Sequence, residues 1–130
     1  MLRAAIVLLA AAGAARADTV VGPEAFEALT EGRVMIYTHQ GEPFGAEQYL
    51  PDRRVLWQRD SGGCLQGVWF GEGDDICFDY EDLPGVAVCW SVRRTAEGEV
   101  VALRHGSGEP FELTLGQERK QPLECREPTG

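Results

Sequence analysis

Cys64, Cys77, Cys89 and Cys125 carry the most definite chemistry in this sequence of 130 residues. None of them forms a Cys-x-x-Cys pair, so thiol exchange and a zinc knuckle both lack their spacing. In an oxidising compartment four thiols are consumed as two disulfides, and three connectivities are open. His39, His105 and Met35 are ligand types for a transition metal such as copper, but they have no recognised spacing, and the histidines read as surface imidazoles. Asp74, Asp75, Asp79, Glu81 and Asp82 gather around one hairpin and offer oxygen ligands to calcium. Their order departs from an EF-hand loop, so they read as solvated turn acids.

Nucleophiles fare no better. Ser61 and Ser107 stand in Ser61-Gly62-Gly63 and Gly106-Ser107-Gly108, which are turn sequences rather than the strand-turn-helix Gly-x-Ser-x-Gly of a hydrolase. The carboxylates offer many pairs for acid/base work, and no spacing selects one. Arg53-Arg54 and Arg93-Arg94 are isolated basic pairs on an acidic chain and read as partners of neighbouring acids. The sequence therefore assigns no catalytic residue, no metal ligand set and no cofactor. The expected function is non-enzymatic.

The compartment is set by residues 1–17. Met1-Leu2-Arg3 is a short positive start, residues 4–14 are small and apolar, and Ala15-Arg16-Ala17 fits the small-x-small site of a secretory signal peptide. A membrane span needs about 20 apolar residues, far more than this run supplies. Cleavage after Ala17 removes Arg3 and Arg16 and no acid, leaving ten basic residues against 21 acidic ones and a charge of −11. No cysteine follows the run to take a lipid anchor. The expectation is a periplasmic or secreted chain with no membrane span after processing. Its acidity, with a pI of about 4.6, excludes the clustered basic surface that nucleic-acid binding requires.

The elements that position these residues follow from periodicity. Residues 20–32 read as one short helix with Gly22 as N-cap, Pro23 at the first helical position and Gly32 as a left-handed stop. Val21 and Phe26 occupy staple positions, and Phe26, Leu29 and Thr30 form the buried stripe. From residue 33 the period changes to two, with strands expected at 33–37, 54–59, 64–70, 75–80, 86–93, 99–104 and 111–115. Short loops at 60–63, 71–74 and 81–85 make neighbours antiparallel. Residues 38–51, with Gly41, Pro43, Gly45 and Pro51, read as a long loop holding at most a short edge strand. The expected fold is mainly β: an antiparallel meander forming a small barrel or strongly bent sheet, with the helix across an open end. Its organisation is a signal peptide (1–17), a single β-rich domain (18–116) and a polar tail (117–130) tethered by Cys125. Trp57, Trp69 and Trp90 fall on successive strands as core residues, and a barrel mouth would expose one of them to a ligand.

Hairpin register narrows the disulfides. A loop at 81–85 sets Tyr80 against Val86 and hence Cys77 against Cys89, about 4.5–5.5 Å apart and within reach. Cys64 to Cys89 would skip a strand, a span near 9.5 Å at about 4.8 Å per strand. A turn at 71–74 puts Cys77 by Val68, roughly 13 Å from Cys64. Cys77–Cys89 and Cys64–Cys125 remain. The same register puts Ile76, Phe78 and Tyr80 on the core face with Val86, Val88, Trp90 and Val92, and leaves Cys77 and Cys89 on the outer or half-covered face as a structural staple.

The stretches Phe26-Glu27-Ala28-Leu29-Thr30-Glu31-Gly32, Cys64-Leu65-Gln66-Gly67-Val68-Trp69, Ile76-Cys77-Phe78-Asp79-Tyr80-Glu81 and Cys89-Trp90 resemble a family of small exported bacterial proteins of unknown function. The resemblance covers most of the mature chain and implies a periplasmic domain with an N-terminal helix and a cysteine-containing β-meander. It brings no catalytic or binding residue with it. The chain is also loosely similar to periplasmic lysozyme-inhibitor barrels in size, export and disulfides. Their inhibitory Ser-Gly-x-Arg/Lys-Tyr loop has no counterpart, because Gly106-Ser107-Gly108-Glu109-Pro110 lacks the basic residue and the tyrosine. Three functions are carried forward: binding of a small ligand or an envelope component; inhibition of a cationic enzyme such as lysozyme, favoured by charge; and envelope enzymology of unknown chemistry. N-terminal sequencing of the exported product is expected to begin at Asp18; a chain that keeps Met1 in the membrane fraction contradicts the signal peptide.

Overall fold

The computed structural model describes residues 4–8, 18–59, 63–106 and 108–125. The expected cleavage site, Ser61, Ser107 and the end of the tail lie outside the described residues. Among those described, no helix is long and apolar enough to cross a membrane.

Gly22 is the N-cap of α1 (Pro23–Thr30), with Pro23 opening the first turn. The staple residues Val21 and Phe26 are both buried. The helix is shorter than the expected 20–32, because Thr19 and Val20 are already committed to a strand. Gly32 ends it with φ at 76°, a left-handed conformation that costs glycine little. Its N–H then donates to the Tyr49 carbonyl at 2.9 Å, joining the helix end to the sheet. Thr30 is fully buried, and its hydroxyl is satisfied by donating to the Phe26 carbonyl at 2.8 Å.

The strands are β1 (Thr19–Val20), β2 (Val34–His39), β3 (Glu42–Tyr49), β4 (Arg54–Gln58), β5 (Leu65–Glu72), β6 (Asp75–Tyr80), β7 (Val88–Arg94), β8 (Val100–Arg104) and β9 (Glu112–Arg119), with a 3-10 turn at Pro51–Arg53. Each strand from β2 to β9 pairs antiparallel with its neighbour in sequence, and β9 returns to pair with β2. The sheet closes into an eight-stranded up-and-down barrel. Short β1 adds to β7 through Thr19–Arg94 and Val20–Arg93. Of the two expected shapes, barrel and bent sheet, the chain adopts the barrel.

The largest departure from expectation is β3. Residues 38–51 are not a loop: Gln40 and Gly41, both at positive φ, make a tight turn between the facing residues His39 and Glu42. Pro43 and Gly45 are tolerated because the strand bulges between them. Tyr37 faces Gly45 while Thr38 faces Pro43, so Phe44 is the extra residue. A second irregularity between Met35 and Tyr37, opposite Leu115 to Glu118, carries β9 through Arg119, past the expected start of the tail at residue 117. The turn after β5 is also tighter than expected. Glu72 faces Asp75, which sets Cys77 opposite Phe70 rather than Val68. That slip of two residues leaves every side chain on its expected face. In the next hairpin Cys77 faces Cys89, and pairing ends at Phe78–Val88, so β7 starts at Val88 instead of residue 86.

Two disulfides brace the barrel. Cys77–Cys89 bridges β6 and β7 with 4.0 Å between Cα atoms, and Cys64–Cys125 joins the segment after β9 to the approach to β5. That segment is further held where the Leu123 N–H donates to Gln48 Oε1 at 3.0 Å and Gln58 Nε2 donates to the Glu124 carbonyl at 2.9 Å. Replacing Cys64 and Cys125 together by alanine is expected to lower stability by about 2–4 kcal/mol through loss of the long closed loop. Urea unfolding measures this. An unchanged midpoint would mean that the crosslink does not constrain the unfolded chain.

Candidate ligand-binding cavity

The core is packed at one end of the barrel only. Phe26 from α1 meets Tyr49, Trp69 and Phe78 edge-on at 5.6, 5.2 and 6.4 Å between ring centroids. The helix start comes close enough to β5 that a Cβ on Gly71 would lie 2.3 Å from Pro23 Cγ. Glycine is therefore required for this cork to seat. The up-and-down order places the other strand ends together: Phe44 near the start of β3, Arg59 after β4, Leu65 opening β5, Tyr80 closing β6, Arg104 closing β8 and Phe111 before β9. Among the described residues the interior is open here, and a cavity of about 480 Å³ runs inward from the rim to Phe26. That volume falls in the range, roughly 300–1,000 Å³, of small-molecule sites.

The collar of this cavity is aromatic. Phe44 lies 5.4 Å from Phe111 and 6.0 Å from Trp57, and Trp90 lies 6.1 Å from Phe111. The His39 ring stacks on Phe111 at 4.6 Å. The Arg59 guanidinium sits 4.7 Å above Phe44. Leu83 and Val86, on the loop between β6 and β7, line the rim with more than half their surface exposed.

A polar cluster stands deeper. Glu47 is 1% exposed, and its Oε1 accepts a hydrogen bond from the Tyr80 hydroxyl at 2.7 Å. Its Oε2 is buried without a hydrogen-bond partner among the described residues. The Tyr37 and Tyr49 hydroxyls share one hydrogen bond of 2.6 Å. Burial drives the Glu47 carboxyl well above its ordinary range, against the opposing effect of the Tyr80 bond. Burial likewise raises Tyr37, Tyr49 and Tyr80, with the nearby Glu47 charge adding to the effect. The bulge explains how these residues come to share the interior. Phe44 and Glu47 are three apart, an odd spacing that would put them on opposite faces of a regular strand. The extra residue restores both to the inner face.

Of the residues singled out from sequence, Trp57, Trp90 and Asp82 line this cavity, and the other described candidates do not form it. Met35 is core, His39 is at the rim, and His105 lies against β7, so no ligand set of the three assembles. Asp79 accepts from the Gly85 N–H, Glu81 from the Gln66 N–H and Asp75 from Ser91, each acid serving its own contact. Glu72, Cys77 and Cys89 have metal-site spacing, but both sulfurs belong to the disulfide. Ser91, His105 and Asp75 also meet, with His105 Nε2 at 2.6 Å from Ser91 Oγ and 3.3 Å from Asp75 Oδ1. A catalytic triad requires the acid on the other ring nitrogen, and one nitrogen serves both here. Arg53 pairs with Glu27 and lies 4.2 Å over Trp69, while Arg93 bonds Asp18 and Glu112 at 2.8 and 3.0 Å. Trp69 is core; Trp57 and Trp90 are half-buried and line the cavity. Glu47 and its tyrosines escaped sequence reading because they fell in the presumed loop or among core aromatics. The available signal was Glu47-x-Tyr49, two residues on one strand face with no basic residue beside them.

No family model, no curated protein and no solved structure matches the chain.

Two outcomes follow from the polar cluster. Tyr37→Phe leaves the Tyr49 hydroxyl without its buried partner and is expected to cost about 1–3 kcal/mol in urea unfolding; no loss would mean that the bond is not made. Between the ordinary carboxyl value of 4.5 and the raised one, the folded protein binds more protons at Glu47 than the unfolded chain. Stability from this group therefore falls as pH rises through that window, by up to about 1.4 kcal/mol per pH unit. Glu47→Gln should remove this loss, so its advantage over the natural protein grows with pH across a series of unfolding curves. A difference that is flat with pH contradicts the buried, raised carboxyl.

Proposed function

We propose that this protein is an exported, non-enzymatic binding barrel that takes a small, mainly apolar ligand into the open end of its interior. The observation that carries this reading is the cavity itself: apolar aromatic walls around one buried carboxyl with an uncommitted oxygen. Binding sites combine those features, a concave apolar pocket and a few polar groups that fix orientation. A protein that used its interior only as core would have filled it at native density. Export agrees with the expected cleavage after Ala17 and with two disulfides, which persist in oxidising compartments. The resemblance to small periplasmic proteins points the same way.

Ligand entry is expected to perturb Trp57 and Trp90, which line the cavity, so eight-carbon amphiphiles should shift tryptophan emission saturably at one molecule per chain. Val88→Trp, introduced at a half-buried lining position, should abolish the binding measured by calorimetry while leaving thermal unfolding cooperative. Undiminished binding to this filled variant, or the failure of every amphiphile to bind the natural protein, contradicts the reading.

A further inference from the structure

We propose that the cavity selects an organic cation, a ligand with an apolar body and one protonated nitrogen that docks on Glu47. This rests on the binding-barrel reading and names the chemical class that the site takes. As a carboxylate Glu47 Oε2 needs a donor, and no described side chain supplies one. The Tyr80 hydroxyl already donates to Oε1, and the Tyr37 and Tyr49 hydroxyls bond each other and not Oε2. The basic residues lining the cavity, Arg59 and Arg104, stand at the rim and not beside the carboxyl. Among the described residues no cation pairs with the acid, and aromatic side chains line the cavity around it. Aromatic faces and a buried carboxylate are each cation-seeking, and together they form the combination that recognises ammonium groups.

The alternatives match the walls less well. An anionic head would meet Glu47 at the base of the cavity. A neutral ligand with an acceptor would use the protonated acid as a donor, but would gain nothing from the ring faces. A protonated amine satisfies Oε2, pairs the charge and rests on the rings. The groups facing Glu47 are Tyr37 from β2, Tyr49 from β3 and Tyr80 from β6; Arg59, Asp82 and Arg104 line the same cavity near the rim. The tyrosines stay protonated at neutral pH, so Glu47 is the group whose ionisation the ligand changes. In the free protein burial favours its neutral form. Docking an ammonium replaces the Glu47 proton, which leaves to solvent, and the bound pair is ammonium with carboxylate. A net charge of −9 on the chain also favours the approach of a cation.

Calorimetry with octylammonium, octanol and octanoate tests this. Octylammonium should bind the natural protein roughly ten- to a hundredfold more tightly than octanol, the range of a charge-assisted hydrogen bond. At pH values below the raised Glu47 value binding should release protons, read from the dependence of binding heat on buffer ionisation, and affinity should rise there by up to about tenfold per pH unit. Glu47→Gln should abolish the preference for octylammonium over octanol. Octanol or octanoate binding as tightly as octylammonium overturns the cation class and leaves the binding-barrel reading standing. A preference that survives Glu47→Gln also overturns it. Failure of all three probes removes both readings.

Discussion

Closure of β9 onto β2 is the constraint on which the rest of the molecule depends. An open meander would leave both strands as edges with unpaired backbone groups, and would have one exposed apolar face. Once Val34, Met35, Tyr37 and Thr38 pair with β9, the alternate residues of eight strands must share one interior. Such a barrel has just enough room for side chains or for one small ligand. The bulges at Phe44 and in β9 near Gly116 supply the local bending that closure requires. At Gly116 no Cβ would fit, since it would lie 2.8 Å from the Ile36 carbonyl oxygen.

How that interior is used follows from a single helix. α1 presents one large ring, Phe26, to one end of the barrel, and among the described residues no equivalent element covers the other. Among the described residues the barrel thus has an end interlocked around Phe26 and an open end, and Glu47 lies between them. A carboxyl in that position weakens the fold, because a buried acid must either stay protonated or remain unsolvated. The two disulfides act in the opposite sense by restricting the unfolded chain. This is the pattern expected where a fold holds a locally unfavourable group for binding and compensates for it elsewhere.

Much of the fold was legible because its signals are local. Val and Ile with aromatic residues at period two marked seven strands, Gly22-Pro23 and Gly32 bracketed the helix, and hairpin register opposed Cys77 to Cys89. What escaped was β3, where Gly41, Pro43 and Gly45 imitate a loop. Their compatibility with a strand comes from a turn at positive φ and from a bulge that depends on the partner strand. The site was lost with it. Glu47 is an ordinary surface residue by type, and only barrel closure, a contact between distant parts of the chain, makes it a buried one. The cysteine and histidine positions that chemistry alone singles out lie away from the cavity or at its rim.

The ionisation of Glu47 is the most direct test of this account, followed through its side-chain carboxyl by carbon-detected NMR in the folded protein. A buried acid at the base of a cation-binding cavity should titrate well above the ordinary value of 4.5, and should shift to the carboxylate signature at constant pH when octylammonium is added. A carboxyl that titrates together with the exposed acids of the chain, or that keeps its proton in a saturated complex, would contradict it.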